Sequence, residues 1–285
     1  MVYYEKLNKN NFSFLGELVK ESFSYNKYKK KADDFYLNLN FFKKMFYKNN
    51  ILLIKLGNSY VGYIWYELLN GDTVNIEDIY IKNNFIKLIN LSKVDCFYDK
   101  IIIFQGFEDE ITKQIMSNNY LTKFRITKLM KINTLDKKPI VKKQNLSIRC
   151  YIRNRDEQTR CNIQNKVFND NHRVPLQVKD IKFEQAQSYF IDELSMFLVY
   201  KNIVVGYGQV VFNKNMYMVV NFGILEEHRG KGFGEFFLIS ILDKTFNTGI
   251  ENIYIRVDPN NIRAFDLYKK IGFIYLGDYI TWVKS

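Results

Sequence analysis

Two stretches of the chain carry one pattern of apolar and polar positions. ILLIKLGNSYVGYIWYEL (Ile51 to Leu68) and SMFLVYKNIVVGYGQVVF (Ser195 to Phe212) each hold an apolar run, a polar turn and a second apolar run containing Val-Gly-Tyr. Short apolar runs joined by a polar turn, at Asn58 and at Asn202, predict β-hairpins, and Gly62-Tyr63 aligns with Gly206-Tyr207. A third strand follows in each half, VNIEDIYI (Val74 to Ile81) and YMVVNFGIL (Tyr217 to Leu225), and then a fourth, KIIIFQGF (Lys100 to Phe107) and NIYIRVD (Asn252 to Asp258). After each fourth strand the spacing becomes helical, in EITKQIMSNNY and in NIRAFDLYKKIGF. A strand and a helix open each half, in YYEKLNKNNFSFLGELVKESF and in LSIRCYIRNRDEQTRCNIQNKVF.

Self-similarity of this order predicts a duplicated α/β (α+β) unit. Each copy is expected to form a mixed, mostly antiparallel, twisted sheet flanked by helices. The polar, basic stretch TLDKKPIVKKQN, with Pro139, reads as an exposed connection. The boundaries expected are a first domain over 1–135, a linker over 136–146 and a second domain over 147–285. At 285 residues, 47% of them hydrophobic, both halves have enough apolar material for a core.

The halves part after their third strands. The first runs into KNNFIKLIN, without glycine; the second runs into EEHRGKGFGEFF, where Gly230, Gly232 and Gly234 are three of the chain's 14 glycines. The loop joins an apolar strand to a helix with apolar residues at Phe236, Phe237, Ile239, Ile241 and Leu242. A helix N-terminus presents unpaired N–H groups and partial positive charge, and glycine lets a phosphate approach the backbone. Arg229 and Lys231 add charge. A turn with two basic residues is the alternative. The spacing is neither that of a dinucleotide fingerprint nor that of a Walker loop.

The net charge of +12 admits nucleic-acid binding. The lysines are dispersed, however, and the joint abundance of Lys, Asn, Ile, Tyr and Phe accounts for the charge by composition. The densest basic cluster is KYKKK, Lys27 to Lys31. A nucleic-acid partner is therefore not expected. Three scattered cysteines (Cys96, Cys150, Cys161) and two histidines offer no metal spacing, so no metal is expected. With no apolar run near the ~20 residues of a membrane span and no signal-like start, no membrane association is expected, and the location expected is cytoplasmic.

In the second half the chain resembles the GNAT superfamily of acyl-CoA-dependent N-acetyltransferases. The strand NFGIL leads into HRGKGFG, which fits the family's loop at Arg229, Gly232 and Gly234. The strand IYIRV follows, and then NIRAFDLYKKIGF, which fits a second family motif at Asn261, Ala264, Tyr268, Gly272 and Phe273. The resemblance covers 147–285 and makes the first half a degenerate GNAT-like copy that is expected to bind no acetyl-CoA. It implies acetyl transfer from acetyl-CoA to the amine of a small molecule or peptide, by direct attack. Backbone groups of Arg229, Gly230, Lys231, Gly232, Phe233 and Gly234 would cradle the pyrophosphate, and those of Gly223, Ile224 and Leu225 would pair with the pantetheine arm at a splay in the sheet. Asn261 would bond the arm, and Tyr268 would protonate the leaving thiolate. The glutamate that some relatives carry on the third strand is Met218 here, which leaves the base open among water, Glu193, Asp192 and a substrate carboxylate. Acceptor contacts would come from Phe168 to Asp180, including His172 and Arg173, and from Tyr207 and Gln209. A non-catalytic acyl-CoA-binding sensor or scaffold, and a modifier of a ribosomal protein or tRNA, are the other readings.

Overall fold

A computed structural model of the chain describes residues 2–25, 50–69, 71–169, 174–213 and 216–284. The basic cluster at Lys27 to Lys31 and the candidate acceptor residues His172 and Arg173 lie outside these described residues. The chain forms two units, Met1–Thr127 with Gly277–Ser285, and Lys128–Leu276. Among the described residues no helix is long and apolar enough to cross a membrane.

The first unit contains β1 (Val2–Lys6), α1 (Phe12–Tyr25), β2 (Ile51–Leu56), β3 (Ser59–Leu69), β4 (Thr73–Ile81), β5 (Ile101–Phe107) and α2 (Glu110–Asn118). Its strands run in the order β1-β2-β3-β4-β5 with β12 (Ile274–Lys284) beyond, all antiparallel except the β4–β5 pair. Three short 3-10 turns, Asn83–Leu88, Leu91–Lys93 and Asp95–Phe97, replace the loop-and-helix of the second unit. Residues 277–285, expected in the second domain, belong to this unit. The reason is the free edge of β5: Tyr279–Lys284 pair with Phe107–Ile102, and the alternation of β12 buries Ile280 and Trp282 in the first core.

The second unit holds β6 (Thr122–Asn133) from Lys128 on, β7 (Leu146–Cys150), α3 (Glu157–Val167), α4 (Val178–Gln185), β8 (Phe190–Tyr200), β9 (Ile203–Asn213), β10 (Met216–Ile224), α5 (Phe233–Phe246), β11 (Asn252–Val257) and α6 (Ile262–Ile271). The strand order is β6-β11-β10-β9-β8-β7, and only β10 and β11 are parallel. Phe237, Leu238, Ile241 and Leu242 of α5 are buried against the sheet with Met196, Leu198 and Ile253. Burial of such side chains contributes roughly 1.5–3 kcal/mol each. Residues 137–145 form neither helix nor strand.

The hairpin glycines are fixed by close backbone approach. A Cβ on Gly206 would stand 2.8 Å from the Gly223 carbonyl oxygen, and one on Gly62 would run into the Tyr80 carbonyl oxygen. The two positions are equivalent, since Tyr207 faces Gly223 and Tyr63 faces Tyr80 across their ladders. Gly206→Ala is expected to destabilise by roughly 1–3 kcal/mol, because backbone rather than a mobile side chain must shift. Gly16→Ala, in α1 with nothing within 4 Å of the added carbon, is expected to stabilise by about 0.5–1 kcal/mol. Urea denaturation of the two variants checks the opposite signs.

Candidate functional site

The pairing of β10 with β11 covers only Tyr217–Val219 against Ile253–Ile255. β11 continues to Val257 on its other neighbour, β6, so β10 and β11 part beyond Val219 and leave an unpaired edge on β10. A bulge helps: Asn221 and Phe222 stand opposite Gly208 alone, and Asn221 takes a left-handed φ of 53°. Leu225 then donates its N–H to Val205 O at 2.9 Å. Alternation turns the N–H and C=O of Ile224 to the opposite, splayed edge, and its carbonyl there accepts from Arg229 Nε at 3.0 Å. Of the three backbone positions expected to meet a pantetheine arm, Ile224 faces the splay, while Leu225 and, by the same alternation, Gly223 face β9. Gly223 has a separate reason to be glycine, because a Cβ there would collide with Val167 of α3. The equivalent residue of the first unit is Tyr80, whose buried ring lies tilted to that of Tyr63 with centroids 6.3 Å apart.

Next in the chain, a 3-10 turn (Glu226–His228) delivers the glycine loop to α5. Gly230 and Gly232 adopt φ of 77° and 71°, the left-handed region that side chains avoid. Gly232 is the N-cap and supplies no side-chain cap. The first intrahelical bond runs from Phe236 N to Gly232 O at 3.2 Å, so the amides of Phe233, Gly234 and Glu235 have no intrahelical acceptor. Arg229 also reaches Val167 O at 3.4 Å, and Lys231 Nζ donates to Glu227 O at 2.8 Å. Lys143, from the connecting segment, places Nζ 3.2 Å from Lys231 O and 2.7 Å from where a Cβ on Gly232 would be. Its neighbour in that segment, Lys137, bonds Asp243 at 3.1 Å near the other end of α5.

On α6, Asn261 is the N-cap: its side-chain oxygen accepts from Ala264 N at 3.1 Å. Asn261→Ala is expected to cost about 1 kcal/mol by loss of that cap, measurable by thermal or urea unfolding, apart from any effect on ligand. Tyr268 lies 6% exposed, packed by Phe273 and Phe222 at ring distances of 5.9 and 6.4 Å. Its hydroxyl makes no hydrogen bond among the described residues. Burial raises its pKa above the ordinary phenol value, so it stands as a neutral O–H donor at pH 7.

Between α3, α4, β8 and β9 lies a layer of polar groups, all buried except the partly exposed Glu184. Tyr207 donates its hydroxyl to Gln209 Oε1, and Gln209 Nε2 donates to Glu184 Oε1 at 2.6 Å. Glu184 Oε2 accepts from Nη2 of Arg160, which is fully buried and has its guanidinium carbon 4.8 Å from the centre of the Tyr207 ring. Burial raises the pKa of Tyr207 as well. Tyr207 and Gln209 are thus brought together, with Arg160 and Glu184 beside them and Gln164 one turn along α3 from Arg160. Those three lack any local sequence signal, since a polar residue on a helix reads as solvated. Met218 is 5% exposed, and its thioether is only a weak acceptor that cannot take a proton as a general base. Asp192 is held by Arg153 through two bonds of 2.5 and 2.7 Å. Among the described residues no group of three or more His, Cys, Asp or Glu is placed to hold a metal.

Residues 159–273 match the acetyltransferase (GNAT) family model. Over 64 residues the chain is 36% identical to the uncharacterised N-acetyltransferase YobR of Bacillus subtilis (strain 168), a match covering 22% of this chain and 26% of that one. The chain therefore spans about a quarter of that curated relative's length. Among solved structures it is similar to a GCN5-related N-acetyltransferase from Sphaerobacter thermophilus, with a TM-score of 0.70, 12% identity and coverage of 99% of this chain and 95% of that one. It is also similar to a tandem GNAT protein from the clavulanic acid biosynthesis pathway, with a TM-score of 0.62, 10% identity and coverage of 100% and 98%. These likenesses show a fold of tandem GNAT type. Over residues 159–273 the chain is similar to the GNAT acetyltransferase family.

Proposed function

We propose that the second unit transfers an acetyl group from acetyl-CoA to the amine of an acceptor by direct attack, with Tyr268 as general acid. One observation carries this reading. The glycine loop at the start of α5, with uncapped amides, adjoins the splayed edge of β10, and Tyr268 has an uncommitted hydroxyl. The site fits the nucleotide thioester in chemical terms. Side chains are absent at Gly230 and Gly232, and the helix end supplies donors and partial positive charge. Bound there, acetyl-CoA supplies an activated acetyl thioester.

The chain's own groups then divide the work. Phe233, Gly234 and Glu235 amides and Lys143 hold negative charge. The Ile224 N–H, facing the splay, is the donor aimed at a developing oxyanion. Tyr268 keeps a proton for the departing sulfur, since burial suppresses its ionisation. Met218 supplies no base and Asp192 is committed to Arg153, so the proton lost by the attacking amine passes to water. The first unit, with Tyr80 where the second has Gly223 and with no glycine loop, serves no cofactor.

Lys143 has a testable part. A cation at the positive end of a helix is unfavourable unless an anion joins it. Lys143→Met is expected to weaken CoA binding several-fold, with the loss shrinking as salt rises; calorimetry at two ionic strengths checks this. The overall reading is tested by an acceptor screen that follows thiol release and the mass of the product. Tight acetyl-CoA binding without turnover on any amine would favour a non-catalytic acyl-CoA sensor, which the buried Met218 also suits.

A further inference from the structure

The inward face of α3 carries Arg160, Gln164 and Val167, at i, i+4 and i+7. Val167 abuts Gly223 at the splay. Arg160 is 0% and Gln164 1% exposed. Arg160 spends one nitrogen on Glu184, while among the described residues its Nε and Nη1 have no partner, and neither amide atom of Gln164 has one. Buried polar atoms of a native fold nearly always find partners, and leaving one unmade costs about 1–3 kcal/mol. Four such atoms within two turns of one helix, leading toward the acetyl-transfer position, mark a place for a ligand group.

The unspent atoms say which group. Arginine nitrogens donate only, and the glutamine adds a donor and one acceptor. The complement is rich in acceptors and poor in donors, which describes a carboxylate. Charge agrees if the same molecule brings an ammonium: Arg160 pairs with Glu184, the buried Glu157 has its own donors in Asn154 N and Gln185 Nε2, and a zwitterion adds nothing net. Arg160 and Val167 are seven residues apart, about 10 Å along a helix axis. Carboxylate and amine therefore belong at opposite ends of the acceptor rather than on one carbon.

We infer that the acceptor is an ω-amino carboxylate, or a larger amine with a carboxylate so placed, whose carboxylate bonds Arg160 and Gln164 while its amine reaches Ile224. This rests on the acetyl-transfer reading above. The test runs a series of ω-amino carboxylates against the corresponding alkylamines, scoring kcat/KM by thiol release. Carboxylates are expected to be preferred by at least tenfold. Gln164→Leu, which keeps volume, is expected to reduce that preference several-fold and leave the KM for acetyl-CoA unchanged; it also covers the case in which Arg160→Met fails to fold. Equal rates for amines with and without a carboxylate, or an unaltered preference in Gln164→Leu, would overturn the inference, leaving buried water as the partner of these atoms. If no amine turns over, calorimetry of the same pairs decides: binding of the carboxylates alone upholds the site while the transferase reading fails, and binding of neither sinks both.

Discussion

Gly232→Glu is expected to abolish CoA binding, raising its Kd at least 100-fold in calorimetry, while the protein stays folded. Three effects add at this position. The backbone sits at φ 71°, where a residue with a Cβ is strained by roughly 1–2 kcal/mol. The new Cβ would press on Lys143 Nζ, 2.7 Å away, and that ammonium sits on a flexible stem able to move. The third effect dominates: a carboxylate would occupy the place where the helix end attracts an anion and would pair with Lys143, neutralising the cation and repelling a diphosphate. Gly232→Ala separates the contributions. It keeps the strain and lacks the charge, so it is expected to weaken binding far less. Unchanged affinity in Gly232→Glu would remove the loop from cofactor recognition.

The glycine loop was legible because backbone geometry selects glycine almost without substitutes. Gly206 and Gly62 show the same selection, each forced by a neighbouring carbonyl, and this is why two remote halves display one Val-Gly-Tyr pattern. The α6 motif was legible from helical spacing and from its resemblance to a family motif; the N-cap bond of Asn261, not foreseen from the sequence, gives asparagine a structural reason to stand there. Other features leave no local trace. The transfer of β12 to the first unit depends on an open strand edge, and edges belong to a sheet, not to a segment. Arg160 and Gln164 look like the solvated side of a polar helix, and only tertiary packing of α3 on β9 buries them; Glu184, on α4, is partly exposed beside Arg160. Lys143 is one of several lysines in a basic connection, distinguished only by where the backbone brings it. Propensity and periodicity report what a residue does for its own element; buried polar residues serve neighbours distant in sequence.

Tyr268→Phe is expected to lower kcat by about 10²–10³, the usual scale for loss of one general acid, with the Kd for CoA changed less than threefold. Phenylalanine retains the ring that packs on Phe273 and Phe222, and since the tyrosine hydroxyl bonds nothing in the described protein, its removal leaves no stranded partner. Stability should therefore hold, which separates a proton-transfer loss from a packing loss. The pH profile supplies a second signature. Burial raises the Tyr268 pKa, so the protonated form persists beyond the ordinary phenol value of about 10, and ionisation of this residue should not limit wild-type activity below that value. A CoA thiol ionises near pH ~8.5, so leaving as thiolate without an acid becomes less unfavourable as pH rises. The Phe variant should accordingly regain activity relative to wild type between neutral and alkaline pH. Equal kcat for variant and parent at pH 7 would take Tyr268 out of the chemistry and leave it a core residue of α6.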